Sequence, residues 1–250
     1  MFEILRRILT SIWKIWFAFC FATVFLILFP LFWIVFKTRF QRGIYILKII
    51  LSKTVCGLVG IFPKVINHNA IHHFSKPVVF VCNHSSYLDI LLFPVIFNQT
   101  SIFMAKAELL KIPLFNMFFK YSDIPVDRKR PTSGKAAFDQ AADKLRNGMH
   151  MIIFPEGTIS SSGKLLPFKN GPFKLAIDMQ VPLLPLAFKN NWKYLQNGGF
   201  FKSLGQPGFP ELHIGPPIQT QGLSNQHLEE VKQKVLNFMQ LHSVSQCLKK

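Results

Sequence analysis

From Ile15 to Phe36 the chain carries no charged residue. A helix of about 22 residues rises roughly 33 Å, enough to cross the hydrocarbon core of a bilayer. The stretch is too apolar and too long for a signal peptide, and no small-residue cleavage site follows it. A retained membrane-embedded helical segment is therefore expected at the amino terminus. Trp13, Trp16 and Trp33 lie near its ends, where interfacial aromatic rings sit.

Basic residues flank the segment on both sides: Arg6, Arg7 and Lys14 before it, Lys37, Arg39 and Arg42 after it. The positive-inside rule then gives no orientation. Symmetric basic flanks suit a segment that enters and leaves by one leaflet, with Pro30 as a kink. A single span is the alternative. Ile44 to Phe62 is a second apolar stretch, carrying Lys48 and Lys53, and reads as an interfacial helix facing anionic headgroups. Residues 1–62 are thus expected to anchor the protein, and residues 63–250 to form a separate folded unit.

The chain has 250 residues, half of them hydrophobic, and a formal net charge of +17. That charge points to anionic partners: lipid headgroups, phosphorylated substrates or nucleic acid. Much of it lies beside the membrane segment, and no RNA- or DNA-binding signature is present, so no nucleic-acid partner is expected. Cys20, Cys56, Cys82 and Cys247 are scattered without metal-ligand spacing and read as reduced packing residues of a cytosol-facing protein.

Beyond residue 62 the pattern changes. Val78–Cys82, Ile102–Ala105, Met149–Phe154 and Leu183–Phe188 are short apolar runs of the kind that form buried strands. Between them Tyr87–Phe97, Leu114–Tyr121, Thr132–Asn147 and Pro172–Met179 read as helices. Thr132 or Ser133 is a suitable N-cap for the third, and Gly148 its stop. Ser224–Leu241 is an amphipathic closing helix. Asn190–Pro217 reads as loops and shorter strands. Strands alternating with helices predict an α/β fold: a mostly parallel sheet covered by helices on both faces.

Two strand ends carry chemistry. Asn83-His84-Ser85-Ser86-Tyr87-Leu88-Asp89 follows the first strand, and Phe154-Pro155-Glu156-Gly157-Thr158 follows the third. A histidine can take a proton from a hydroxyl, and a carboxylate can hold its tautomer. Five residues of helix rotate about 500°, so His84 and Asp89 can pair only if His84 lies outside the helix. A strand-end histidine beside an acid that favours the helix dipole is the bland alternative. Ile124-Pro125-Val126-Asp127-Arg128-Lys129-Arg130 offers cations for a phosphate, Arg128 foremost, and Lys106 is a similar candidate. Val181-Pro182-Leu183-Leu184-Pro185-Leu186 reads as core.

Taken in order, these segments resemble the four motifs of the 1-acylglycerol-3-phosphate acyltransferase family. Asn83, His84 and Asp89 match the first, Arg128 ends the second, Phe154–Thr158 match the third and Val181–Pro185 the fourth. Two departures stand out: Ile159 replaces the arginine expected after Thr158, and Ser122 replaces a glycine that opens the second motif. The resemblance implies a membrane-bound enzyme with His84 as general base and Asp89 as its orienting carboxylate. Glu156, Gly157 and Thr158 would position the glycerol phosphate, with Arg128 and Lys106 as anionic anchors. The acyl donor would be an acyl thioester on coenzyme A or acyl carrier protein, and the acceptor the free hydroxyl of 1-acylglycerol-3-phosphate. No metal and no bound cofactor is expected. Ile159 leaves room for another lysophospholipid or an aminolipid acceptor, with Lys164 or Lys169 supplying the missing charge. A non-catalytic basic membrane-associated protein is the alternative from another class. An inner or cytoplasmic membrane is the expected location, with the folded unit facing the cytosol.

Overall fold

The computed structural model describes residues 2–67, 74, 76–111, 114, 116–127 and 131–243. Cys247, Arg128, Lys129 and Arg130 lie outside the described residues.

The charge-free run forms part of a single helix, α1 (Phe2–Lys37), 36 residues long. It continues without a break through Pro30, where a kink was expected. A turn with Arg39 at φ 52 reverses the chain into α2 (Gln41–Val59). The two helices pack as a hairpin. Near its tip a Cβ on Gly43 would come within 2.5 Å of the Phe40 ring and 3.1 Å of Val35, so a larger residue there would displace the Phe40 ring. The indole N–H groups of Trp13 and Trp16 donate to the carbonyls of Val59 and Leu58, each at 3.0 Å. These are last-turn carbonyls of α2 that have no partner within the helix.

Both ends of the charge-free run touch the rest of the molecule. Lys14 is buried and its ammonium donates to Phe200 O and Ser203 Oγ, both at 2.8 Å, and to Ser203 O. At the other end Phe32 and Phe36 pack edge-on against Phe118, with ring centroids 5.2 and 5.1 Å apart. The outward face of α1 bears Ile12, Ile15, Phe19, Leu26, Ile27 and Ile34, all exposed. Lys48 of α2 was expected to face headgroups. It is buried instead, with Nζ 2.8 Å from both carboxylate oxygens of Asp123.

The sheet has seven strands: β1 (Lys64–Ile66), β2 (Val79–Cys82), β3 (Ser101–Lys106), β4 (Ile124–Val126), β5 (His150–Ile153), β6 (Leu183–Phe188) and β7 (Glu211–Ile214). Their order is β1-β7-β6-β2-β5-β3-β4. Strands β6, β2, β5, β3 and β4 are mutually parallel; β7 is antiparallel to β6 and carries β1 parallel to itself. Helices α3 (Leu88–Ile96), α4 (Asn116–Tyr121), α5 (Pro131–Arg146), α6 (Gly171–Asp178) and α7 (Leu228–His242) complete the described helices. The central strands alternate between two cores. Phe80, Cys82, Leu184 and Leu186 face α1, α2 and α3. Val79, Val81, Met151 and Ile153 face α5, α6 and α7. Every residue of β2, β5 and β6 is buried, which is why these strands appear as unbroken apolar runs.

The expected α/β architecture is present, with three additions. The three-residue edge strands β1 and β4 and the four-residue strand β7 are too short or too polar to stand out as apolar runs. Helix α5 starts at Pro131, so Ser133 lies inside it. The Ser133 hydroxyl accepts the Asp127 N–H at 3.0 Å rather than capping the helix.

Candidate active site

Strands β2 and β5 are parallel neighbours, with Val81 opposite Ile153. The two loops that leave their carboxyl ends therefore emerge side by side. Asn83 steers the first loop. Its side chain pairs with the backbone of Phe188 at the end of β6, donating to O at 2.9 Å and accepting from N at 2.7 Å.

His84 lies outside α3, as the pairing requires. Its Nδ1 is 2.9 Å from Asp89 Oδ2, and Asp89 is completely buried. The same Oδ2 accepts the N–H groups of Ser85 at 2.7 Å and Ser86 at 2.9 Å. Asp89 Oδ1 accepts from the Asn191 side-chain amide at 2.6 Å. A carboxylate only accepts, so Nδ1 carries the imidazole proton and Nε2 is left with a free lone pair. The Phe154 ring lies flat against the imidazole, centroids 3.9 Å apart and planes 13° from parallel. Ser86 Oγ accepts the Leu88 N–H at 3.1 Å and donates to Leu195 O at 2.6 Å, which opens α3 and ties it to the 191–196 segment.

The Glu156 loop clasps the His84 backbone from both sides. Glu156 Oε1 accepts the His84 N–H at 2.7 Å, and the Ser160 N–H donates to His84 O at 2.8 Å. Glu156 Oε2 accepts the Leu166 N–H at 2.9 Å. Burial pushes the Glu156 carboxyl up to about 7, with the charge of Asp89 adding to the rise and the two backbone N–H groups opposing it. Gly157 has φ +71, and a Cβ there would lie 3.0 Å from Lys169 Cε and Nζ. The lysine side chain therefore runs directly across the turn. Thr158 is exposed and Ile159 half-buried.

Lys106 ends β3, one strand over from β5, on the same edge of the sheet. It is exposed and paired with Glu108 at 3.1 Å. Lys164 is exposed, and Lys169 has no acidic partner among the described residues. A mainly apolar cavity of about 300 Å³ opens beside the turn, lined by Met104, Val126, Asp127, Phe154, Gly157 and Lys169 among others. Arg128, which follows directly on Asp127 in the chain, cannot be placed because it is outside the described residues.

Thus His84, Asp89, Glu156 and Gly157 come together, with Thr158 and Lys106 on the same edge. Two contributors carry no motif signal, Asn191 and Ser160, and Phe154, though it opens the third motif, gave no sign there of its place as the wall behind the imidazole. Asn191 lies 102 residues from its partner, in a stretch of loops, and no spacing rule links the two.

Comparison with known proteins shows the family. The family model described as Acyltransferase matches residues 62–189. A putative 1-acyl-sn-glycerol-3-phosphate acyltransferase, acl-2, of Caenorhabditis elegans is 31% identical over 172 residues, 66% of this chain and 60% of that protein. The human 1-acyl-sn-glycerol-3-phosphate acyltransferase alpha is 28% identical over 227 residues, covering 82% of this chain and 79% of the relative. The crystal structure of the 1-acyl-sn-glycerophosphate (LPA) acyltransferase PlsC from Thermotoga maritima matches with a TM-score of 0.71 at 28% identity, over 93% of this chain and 97% of that one. The family match begins just before β1, ends just after β6, and takes in both the loop that carries His84 and the loop that clasps it. The chain belongs to the acyltransferase family.

Proposed function

We propose that the protein is a membrane-bound O-acyltransferase that moves a fatty acyl group from an acyl thioester to the free hydroxyl of 1-acylglycerol-3-phosphate, giving phosphatidic acid. The observation that carries this reading is the buried His84–Asp89 pair, 2.9 Å apart, at the carboxyl edge of the parallel strands. His84 Nε2 removes the hydroxyl proton as the oxygen attacks the thioester carbonyl. The tetrahedral intermediate collapses, the carbon–sulfur bond breaks, and the imidazolium returns its proton to the leaving thiolate. Asp89 stays ionised and holds the ring through Nδ1. No covalent acyl-enzyme is needed, because the thioester is already activated, and the chain has no Gly-x-Ser-x-Gly elbow. Coenzyme A and acyl carrier protein are the candidate carriers of the acyl group.

The Glu156–Thr158 turn and its cavity form the acceptor side. Glu156 acts there by holding the His84 backbone, while Gly157 lets Lys169 cross the turn. With Ile159 in place of an arginine, Lys169 is the cation best placed for the acceptor phosphate; Arg128 and Lys106 are the further anchors. Ile159 also supports a second reading, in which the acceptor is another lysophospholipid or an aminolipid.

The α1–α2 hairpin is proposed to lie in one leaflet of an inner or cytoplasmic membrane, with the catalytic unit facing the cytosol. The contacts of Lys14 and Phe36 with the α/β unit support this over a single span. Residues 1–62 would then anchor and residues 63–250 catalyse. Mass spectrometry of products, after membranes are incubated with lysophosphatidic acid and a mixed acyl-thioester pool, tests the reading directly. Phosphatidic acid as the main product is expected. Acylation of other acceptors in preference would replace the first reading by the second.

A further inference from the structure

We infer that Asn191 is a positioning residue of the catalytic pair, acting on His84 through Asp89. This rests on the general-base reading above. The two oxygens of Asp89 are divided between distant parts of the chain. Oδ2 accepts from His84 and from the backbone of Ser85 and Ser86. Oδ1 has a single partner among the described residues, the Asn191 side-chain amide at 2.6 Å. Asn191 sits on a 3-10 turn, Asn191–Lys193, and is completely buried. Its own Oδ1 is also buried and has no partner among the described residues. Because a carboxylate only accepts, the amide nitrogen must face Asp89, whatever its oxygen then lacks. The side chain is oriented by that one contact.

With donors on both oxygens, the carboxylate cannot turn about its Cβ–Cγ bond, and Oδ2 stays in line with the Nδ1–H of His84. Without Asn191 a buried carboxylate oxygen loses its hydrogen bond, which is costly. The negative charge is then balanced less by the amide and more by the imidazole, which favours the imidazolium and leaves less of the histidine as free base at a given pH. The competing account is structural. The same turn is joined to the start of α3 through Ser86 Oγ and Leu195 O, so Asn191 would merely hold the loop in place.

Asn191→Leu, of similar volume but without the donor, separates the two accounts. Gln196→Ala is the structural control. It loosens the same segment by removing the acceptor of the Leu204 N–H and leaves Asp89 untouched. The full-length proteins are assayed in vesicles with an acyl-CoA and lysophosphatidic acid across pH 5.5–9. Asn191→Leu is expected to lower kcat about 10–100-fold, in line with other groups that orient a reacting residue. Both KM values should stay within about twofold of wild type. The acidic limb of kcat/KM should move up by about half a pH unit or more. The titratable neighbours of the pair, Glu156 against the His84 backbone and Cys82 beneath Asp89, are present in every variant. Gln196→Ala should leave the limb in place. Unchanged turnover in Asn191→Leu overturns the inference. So does a loss shared by both variants that follows their melting temperatures with the limb unmoved. If the Leu variant does not fold, Asn191→Ala carries the same test without added bulk. A wild type that transfers no acyl group removes the general-base reading and this inference together. An active wild type with an indifferent Leu variant removes Asn191 alone.

Discussion

His84 owes its proposed chemistry to four neighbours at different depths in the sequence. Asp89, five residues on, sets the tautomer. Glu156 and Ser160 hold its backbone, and Phe154 braces the ring. His84→Ala is expected to lose about 10²–10⁴-fold in rate while staying folded, the usual worth of a general base; retained turnover in a radiolabelled acyl-transfer assay would refute the role. Lys169→Ala tests the acceptor side. A rise of about tenfold in KM for lysophosphatidic acid is expected, with kcat nearly unchanged, as for removal of a contact present in ground and transition states alike. Restoration by Ile159→Arg would show that the two positions serve one phosphate.

Glu156 gives a pH prediction. Its carboxyl rises from 4.5 to about 7 on folding. Between those values the folded chain holds a proton that the unfolded chain has released, so stability falls as pH rises through that window. The contribution is fully present below pH 4.5 and lost above about 7, to an extent of up to about 3 kcal/mol. Glu156→Gln removes the titration, and its amide can accept only one of the two backbone N–H groups, at a cost of about 1–3 kcal/mol. The stability gap between wild type and variant should therefore narrow from pH 5 to pH 8. Thermal unfolding at both pH values checks this, and a constant gap would contradict it.

Among the elements, α2 has two kinds of neighbour. It pairs with α1 through Trp13 and Trp16, and it is locked to the α/β unit by the buried Lys48–Asp123 ion pair. Asp123 Oδ1 also accepts the Phe103 N–H at 3.1 Å, so the pair joins α2 to β3. Lys48→Ala leaves that carboxylate buried without its counter-ion, and a loss of about 3–5 kcal/mol is expected. Differential scanning of the detergent-solubilised protein measures it. A change below about 1 kcal/mol, the range of exposed pairs, would place Lys48 at the lipid surface instead. Most elements were legible from the chain alone. Strands β2, β5 and β6 are apolar runs because the sheet buries both their faces, as it does for the first half of β3. Strand β1 was not, and β7 was expected only as an unplaced short strand within Asn190–Pro217 and β4 only as a short extended run, since three or four residues carry no periodicity of their own. Lys48 misled for the same reason: a lysine in an apolar helix looks like a headgroup ligand until its acid, 75 residues away, is seen.

For the molecule as a whole, the position of α1 bears on the proposed seating in a membrane. Its charge-free run is anchored to the α/β unit at both Lys14 and Phe36, and its outward face is apolar. Cysteines placed singly near residues 3–9 and 38–42 are expected to react with an impermeant maleimide from the same side as the catalytic unit. Labelling of the first group only from the opposite side would establish a span.

The sequence by itself determined the α/β class and the long apolar helix, and it singled out His84 and Asp89 as a candidate pair, because these depend on local periodicity, uninterrupted apolarity and short spacing. Tertiary structure alone decided that Glu156 grips the His84 backbone, that Lys169 crosses Gly157, that Asn191 closes on Asp89, and that α1 lies along the catalytic unit. Each of these joins groups twelve to nearly two hundred residues apart, and such contacts come into being only when the folded chain brings its strand ends and helices together and buried polar groups must find partners there.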